Sequence, residues 1–242
     1  MITNQKIAYR DQDTPLAGLF YHDQARPGSR PGLLLVHHAY GLDDHTKEHA
    51  AAYAQLGFAV FACDMYGSGL PQDREGAIRF LQELRADSAR LLARASAGLQ
   101  VLSGHPLVDG RLAAIGYCFG GMAVLQMARS GVSLAGAVSV HGSLATAERA
   151  APGRVKARIL VCHGGLDPHV PMGQVTQFVD EMQQAGADWQ LTVYGNALHG
   201  FTHKGAGRMP GVAYHEAADA RSLRAIEDFF TELFGKPDLW GR

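Results

Sequence analysis

Cysteine, tryptophan and unbalanced charge are all scarce in this chain. Its 242 residues include three cysteines and two tryptophans, and 22 Lys and Arg stand against 23 Asp and Glu for a formal net charge of −1. Cys63, Cys118 and Cys162 contain no C-x-x-C pair, which excludes a disulfide framework and suits a reducing, cytoplasmic setting. The balanced charge excludes the basic surface of a nucleic-acid binder and gives an anionic membrane nothing to attract. Long apolar runs are missing as well. Leu112–Leu125, fourteen residues with three glycines, is the longest stretch without strongly polar side chains, whereas a bilayer-spanning helix needs about 20 residues. Met1 to Lys6 holds no apolar segment, so no secretory signal is expected. Repeats, low-complexity tracts and long polar linkers are also absent, which argues for one domain over residues 1–242. At 47% hydrophobic and 19% charged, the composition is that of an ordinary globular protein. A chain this long can bury about three quarters of its unfolded surface.

What is present is a series of short apolar runs bounded by turn residues. Gly32–His37, Ala59–Cys63, Leu112–Ile115, Leu134–Val140, Arg158–His163 and Trp189–Tyr194 have strand length and do not alternate, as strands covered on both faces should read. Helical spacing lies between them. Asp44 is a candidate N-cap for a helix to Leu56, stopped by Gly57. Arg79–Leu102, Met122–Arg129, Gly173–Gln184 and Ala217–Phe234 read as further helices. Lys6–Tyr9 and Leu16–Tyr21 suit an antiparallel edge pair. Alternating strands and helices predict an α/β fold with a mainly parallel sheet and helices on both faces, because parallel strands need long crossovers. In such sheets function gathers in loops at the carboxyl ends of strands.

One such loop is Gly116-Tyr117-Cys118-Phe119-Gly120-Gly121, between a strand and a helical run. It has the pattern glycine, any residue, nucleophile, any residue, glycine, with cysteine as the nucleophile. Glycines are needed because the turn is too sharp for side chains beside it. A helix N-terminus next to the sulfur favours its thiolate. Cys63 and Cys162 lie on apolar strands and read as buried structural thiols. On this kind of turn the order nucleophile, acid, histidine is expected. Asp167 follows one strand in Gly164-Gly165-Leu166-Asp167-Pro168, where its plainer role is a turn aspartate, and His199 follows the next in Leu198-His199-Gly200-Phe201. His169 is the rival to Asp167 in its loop but cannot supply negative charge. His141 and His163 read as satisfied core histidines. After Val36 comes His37-His38-Ala39-Tyr40-Gly41, which suggests the N–H of Ala39 as an oxyanion donor beside that of Phe119. G-x-G-x-x-G does not occur, and Gly67-Ser68-Gly69 runs into Pro71, so a dinucleotide cofactor is not expected. His45 and His49 stand four apart near His37 and His38, but H-E-x-x-H is absent and no Asp, Glu or Cys set shows ligand spacing. No metal is expected.

With these motifs in order, the chain resembles the dienelactone hydrolase family of α/β hydrolases. The resemblance runs through Val36–Leu42, Asp64-Met65-Tyr66-Gly67, Gly116–Gly121, Gly165-Leu166-Asp167-Pro168 and His199-Gly200-Phe201. It implies an α/β-hydrolase fold with Cys118 as nucleophile, Asp167 as orienting acid and His199 as base. Family members that open dienelactones carry a glutamate where His38 stands here, and an arginine four residues after the histidine, at His203. Arg74 and Arg79 are alternative sources of positive charge. The likeness extends to phosphotriester-hydrolysing members of the family. The reading is therefore a cofactor-free, metal-independent hydrolase of small activated esters and lactones, with phosphotriesters as a second class. His38, Tyr40, Phe201 and His203 are candidate substrate-side residues, and Tyr66 and Trp189 candidate lining aromatics. The expected partner is a small molecule, on a monomer or homodimer. Two alternatives stay open: a metal-dependent phosphotriesterase built on the clustered histidines, and a non-catalytic binding member of the fold.

Overall fold

The computed structural model describes residues 1–67, 74–205 and 209–235, with Arg74 by its backbone alone. The Ser68–Asp73 part of the Gly-rich run after Tyr66 and the Arg74 side chain therefore lie outside the described residues. Eight strands form a mostly parallel sheet. In chain order the elements are β1 (Ile2–Asp11), β2 (Thr14–Asp23), β3 (Arg30–Val36), α1 (Asp44–Gln55), β4 (Ala59–Cys63), α2 (Arg74–Ala86), α3 (Ser88–Ser103), β5 (Val108–Tyr117), α4 (Phe119–Arg129), β6 (Gly136–Val140), β7 (Arg158–Gly164), α5 (Met172–Ala185), β8 (Trp189–Tyr194) and α6 (Glu216–Phe234). The chain clusters into two compact units, Met1–Ile115 with the chain end from Phe234, and Gly116–Leu233.

In the first unit, β1 and β2 pair antiparallel along their full length, from Ile2 opposite Asp23 to Asp11 opposite Thr14. β2 continues antiparallel onto β4, and β3 lies parallel to β4 with Leu33–Val36 opposite Val60–Cys63. Both β3 and β4 are buried throughout, which is why they read as unbroken apolar runs. Two helix boundaries differ from the sequence expectation. The N-cap of α1 is Asp43, whose carboxylate accepts from the Thr46 N–H, and Asp44 is the first helical residue. The single helix expected over Arg79–Leu102 is two. Asp87 breaks the run by turning its carboxylate onto the Arg90 N–H at 2.9 Å, which starts α3 afresh. A local side-chain acceptor outcompetes continuation of the helix there.

In the second unit, β6, β7 and β8 run parallel, with Ala137 opposite Ile159 and Val161 opposite Leu191. β8 corrects the expectation of strands covered on both faces: Gln190, Thr192 and Val193 are exposed, since β8 ends the sheet. α4 is buried along its whole length. It is tied to α5 by the buried Arg129–Glu181 ion pair at 2.9 Å, and Arg129 also donates to the Leu144 carbonyl. Such a pair is kept in place by bonds that satisfy both ends.

Candidate active site

β5 ends at Tyr117 and α4 begins at Phe119, so a single residue, Cys118, makes the connection. Its φ of 53° is one that a non-glycine residue adopts only under constraint. The glycines explain how the turn closes. A Cβ on Gly116 would lie 2.1 Å from the Gly120 backbone, and one on Gly121 would lie 2.6 Å from Ser139 Oγ. The Cys118 N–H is held by two acceptors, the Val140 carbonyl at 3.0 Å and His141 Nδ1 at 3.1 Å. The thiol is half-buried, at the positive end of a fully buried helix. Phe119, the first residue of that helix, is buried.

His199 Nε2 lies 3.1 Å from Cys118 Sγ, and His199 Nδ1 lies 2.7 Å from Asp167 Oδ2. One imidazole thus bridges the thiol and the carboxylate. Asp167 fills both roles that the sequence held apart. Oδ2 meets the imidazole, while Oδ1 accepts from the His169 and Val170 N–H groups at 2.8 and 3.1 Å as a turn aspartate does. Gly164 lets the loops meet: a Cβ there would sit 2.7 Å from the Leu198 carbonyl oxygen. The His199 backbone is fixed from the other side by its N–H to the Gly211 carbonyl and its own carbonyl to the Ala213 N–H, both 3.2 Å. Burial alone would lower the His199 pKa; the bonds and charges of Asp167 and Cys118 outweigh it and lift the imidazole to about 10. Burial would likewise raise Asp167, but its bond to His199 holds the carboxyl below the usual range.

His141 was expected as a core histidine, and the structure places it beside the thiol. Nδ1 accepts from Cys118 N–H, so Nε2 carries the proton and donates to Thr202 Oγ1 at 3.0 Å. Its φ of 42° aims the ring at this spot, edge-to-face with His199 and Phe201, both at 5.2 Å. Thr202 and His141 are the residues that motif reading missed. His141 directly follows the carboxyl end of β6, the same position that singled out Asp167 and His199 after their own strands. His163 corrects a second expectation: it is buried, but neither ring nitrogen has a hydrogen-bond partner. Burial lowers its pKa and keeps it neutral. Cys162 is a buried structural thiol as expected, pushed up to about 12 by burial.

The other named residues divide between the two units. Phe201 is fully buried against His141 and Tyr194, which makes it packing for the His141 ring. His203 follows on the same loop, its N–H donating to the Gly200 carbonyl at 2.9 Å. His169 stacks edge-to-face on His199 at 5.3 Å. Trp189 packs edge-to-face on Phe178. In the first unit, the loop after β3 carries His38, Ala39 and Tyr40. Tyr66 OH donates to the Ala39 carbonyl at 2.9 Å, and Asp64 organises the turn beneath by accepting from the Tyr66 and Gly67 N–H groups. Tyr40 is exposed beside the His38 ring. His38 faces Asp43 with Nε2 2.9 Å from each carboxylate oxygen. His38, Asp43 and His45 also offer ligand atoms within 4.8 Å of one another.

The mostly parallel eight-stranded sheet with its helices is the α/β-hydrolase fold, and the chain is a hydrolase. A family model described as the dienelactone hydrolase family matches residues 16–234. The chain belongs to that family. A crystal structure of a dienelactone hydrolase-like promiscuous phosphotriesterase from metagenomic libraries is 40% identical, with a TM-score of 0.91 over 97% of this chain and 99% of that one. The structure named m3DLH is 39% identical, with a TM-score of 0.90 over 96% of this chain and 99% of its own. An uncharacterized Caenorhabditis elegans protein is 34% identical over 152 residues, which cover 61% of this chain and 96% of that one. Among the described residues, no helix is long and apolar enough to cross a membrane.

Proposed function

We propose that the protein is a metal-independent cysteine hydrolase of small activated carboxylic esters and lactones, with phosphotriesters as a second substrate class, and that its 242 residues act as one α/β-hydrolase domain. The observation that carries the reading is the His199 ring, 3.1 Å from the Cys118 sulfur and 2.7 Å from Asp167. In this mechanism the Cys118 thiolate attacks the acyl carbon and the protonated His199 gives its proton to the departing alkoxide. His199, neutral again, takes a proton from water as the hydroxide adds to the thioester, and the sulfur leaves. Asp167 keeps the imidazole in the tautomer that this exchange requires. The N–H of Phe119 is assigned to the developing oxyanion, worth about 3–4 kcal/mol. The phosphotriester class is supported by the metagenomic relative described above as a promiscuous phosphotriesterase, 40% identical over 97% of this chain. A neutral triester also needs no cation where the family's arginine is replaced by His203.

A panel of aryl esters, lactones and paraoxon-like triesters separates the readings. Wild type should turn over esters with or without chelator. Cys118→Ala should lose at least roughly a thousandfold in kcat, in the range found for nucleophile deletions. Mass spectrometry should find an acyl or phosphoryl adduct on Cys118. Activity that survives Cys118→Ala and disappears with chelator would favour a metal-dependent phosphotriesterase instead.

A further inference from the structure

The loop between β3 and α1 brings three ligand-type side chains together. His38 and Gly41 form a tight turn, with the Gly41 N–H donating to the His38 carbonyl at 3.2 Å and Gly41 at a φ of 79°. Thr46 Oγ1 donates to the Gly41 carbonyl at 3.1 Å and holds the turn against the start of α1. The chain therefore doubles back, and Asp43 and His45, five and seven residues on, come to the His38 ring. Nε2 of His38 faces the mouth of the Asp43 carboxylate, 2.9 Å from both oxygens. The His45 ring lies edge-on to His38 at 5.1 Å. One ligand atom from each of the three residues falls within 4.8 Å of the other two. On the next turn of α1, His49 Nε2 meets His45 Nε2 at 3.3 Å.

We propose that His38, Asp43 and His45 form a binding site for one divalent transition-metal ion of the zinc or cobalt type. Ligands on one tetrahedral ion with bonds near 2.0–2.1 Å stand about 3.3 Å apart. His38 Nε2 and the Asp43 carboxylate stand 2.9 Å apart and every pair of ligand atoms lies within 4.8 Å, so the three fall within reach of one ion. Two imidazoles and one carboxylate match zinc, cobalt or nickel. A single carboxylate is too few for calcium or magnesium, which want an oxygen cage. The Asp43 side chain is 30% exposed, which leaves a way in from solvent. His49 touches His45 as outer groups do that orient a metal-binding imidazole. The ion would tie the loop after β3 to the first turn of α1.

The test uses the full chain carrying Cys118→Ala, so that the reactive thiol cannot hold the metal and the outcome does not depend on the proposed hydrolysis. After chelator treatment and dialysis, Zn2+ is titrated by calorimetry and Co2+ by visible absorption. A single ion per chain, with the intense visible bands of low-coordinate Co2+ and a Zn2+-dependent rise in Tm, is expected. Asp43→Asn, which keeps the cap on α1, and His45→Ala should abolish both signals. His49→Phe should weaken Zn2+ affinity roughly 10–100-fold, as loss of an outer partner does. Metal-free circular dichroism checks that each variant is folded; if His45→Ala is not, Asp43→Asn alone decides. Absence of stoichiometric binding, or binding that survives Asp43→Asn as an adventitious ion on other histidines would, overturns the site.

Discussion

At the scale of single residues, two histidines share the work around the thiol and are held in opposite charge states. His199 is lifted to about 10 by its two partners, whereas His141 must be neutral to accept the Cys118 N–H. Because the Val140 carbonyl accepts the same N–H at 3.0 Å, removing His141 does not leave that amide unpaired. The loss should therefore be one of positioning. His141→Ala is expected to reduce kcat about tenfold, near the worth of one neutral hydrogen bond, with KM little changed. His141→Asn offers an oxygen to the same N–H and should recover part of the rate. Steady-state kinetics on an activated aryl ester reads both. Equal losses in the two variants would mean that the ring fills space and does not position the turn. That His141 escaped sequence reading has a physical cause. His141 directly follows the buried strand β6, where a histidine reads as core, and its positive φ sets the buried ring beside Cys118, a placement that spacing along the chain does not show.

At the scale of elements, the placement of strands was legible because each is an apolar run with turn residues at its ends. β4 and β8 have the boundaries read from the sequence, and the antiparallel pair at the start of the chain is the expected β1 and β2. The division between α2 and α3 was not legible, since helical spacing continues through Asp87 and only the carboxylate's local bond to Arg90 interrupts it. The His38–Asp43–His45 set was illegible for a related reason. Its spacing matches neither a helix nor a strand, and the Gly41 turn alone brings the three together. The connection from β5 to α4 makes the sharpest claim about glycine. At Gly116 an added Cβ meets backbone at 2.1 Å, which no rotamer change relieves, whereas at Gly173 in α5 it meets nothing within 4 Å. Gly116→Ala should cost roughly 1–3 kcal/mol or more in urea unfolding and displace Cys118, with loss of esterase activity. Gly173→Ala should instead stabilise by roughly 0.4–1 kcal/mol with activity unchanged, through the lower entropy of the unfolded chain. If both alanines behaved alike, crowding at the turn would not be what demands glycine.

At the scale of the whole molecule, the candidate site's charge arrangement has to appear in global stability. The ordinary pKa of His199 is 6.5, and in the folded protein it is lifted to about 10. The folded state therefore binds a proton that the unfolded chain releases at lower pH. The sign follows: the stabilisation is complete below about 6.5, declines as pH rises, and is gone above about 10. Asp167, with its lowered pKa, acts in the opposite direction and only in acid, so it stays ionised throughout this window. Tyrosines and lysines that titrate at high pH are common to any pair of variants and cancel in the difference between them. Urea unfolding of wild type and His199→Gln at a series of pH values should thus give a stability gap that shrinks from neutral pH toward pH 10. Repeating the pair with Cys118→Ala removes one of the two bonds that lift His199, so the gap should close at lower pH. A gap that stays constant from pH 6.5 to 10 in both backgrounds would mean that the imidazole is not held protonated between Cys118 and Asp167. The acid–base cycle proposed for hydrolysis would then lack its proton donor.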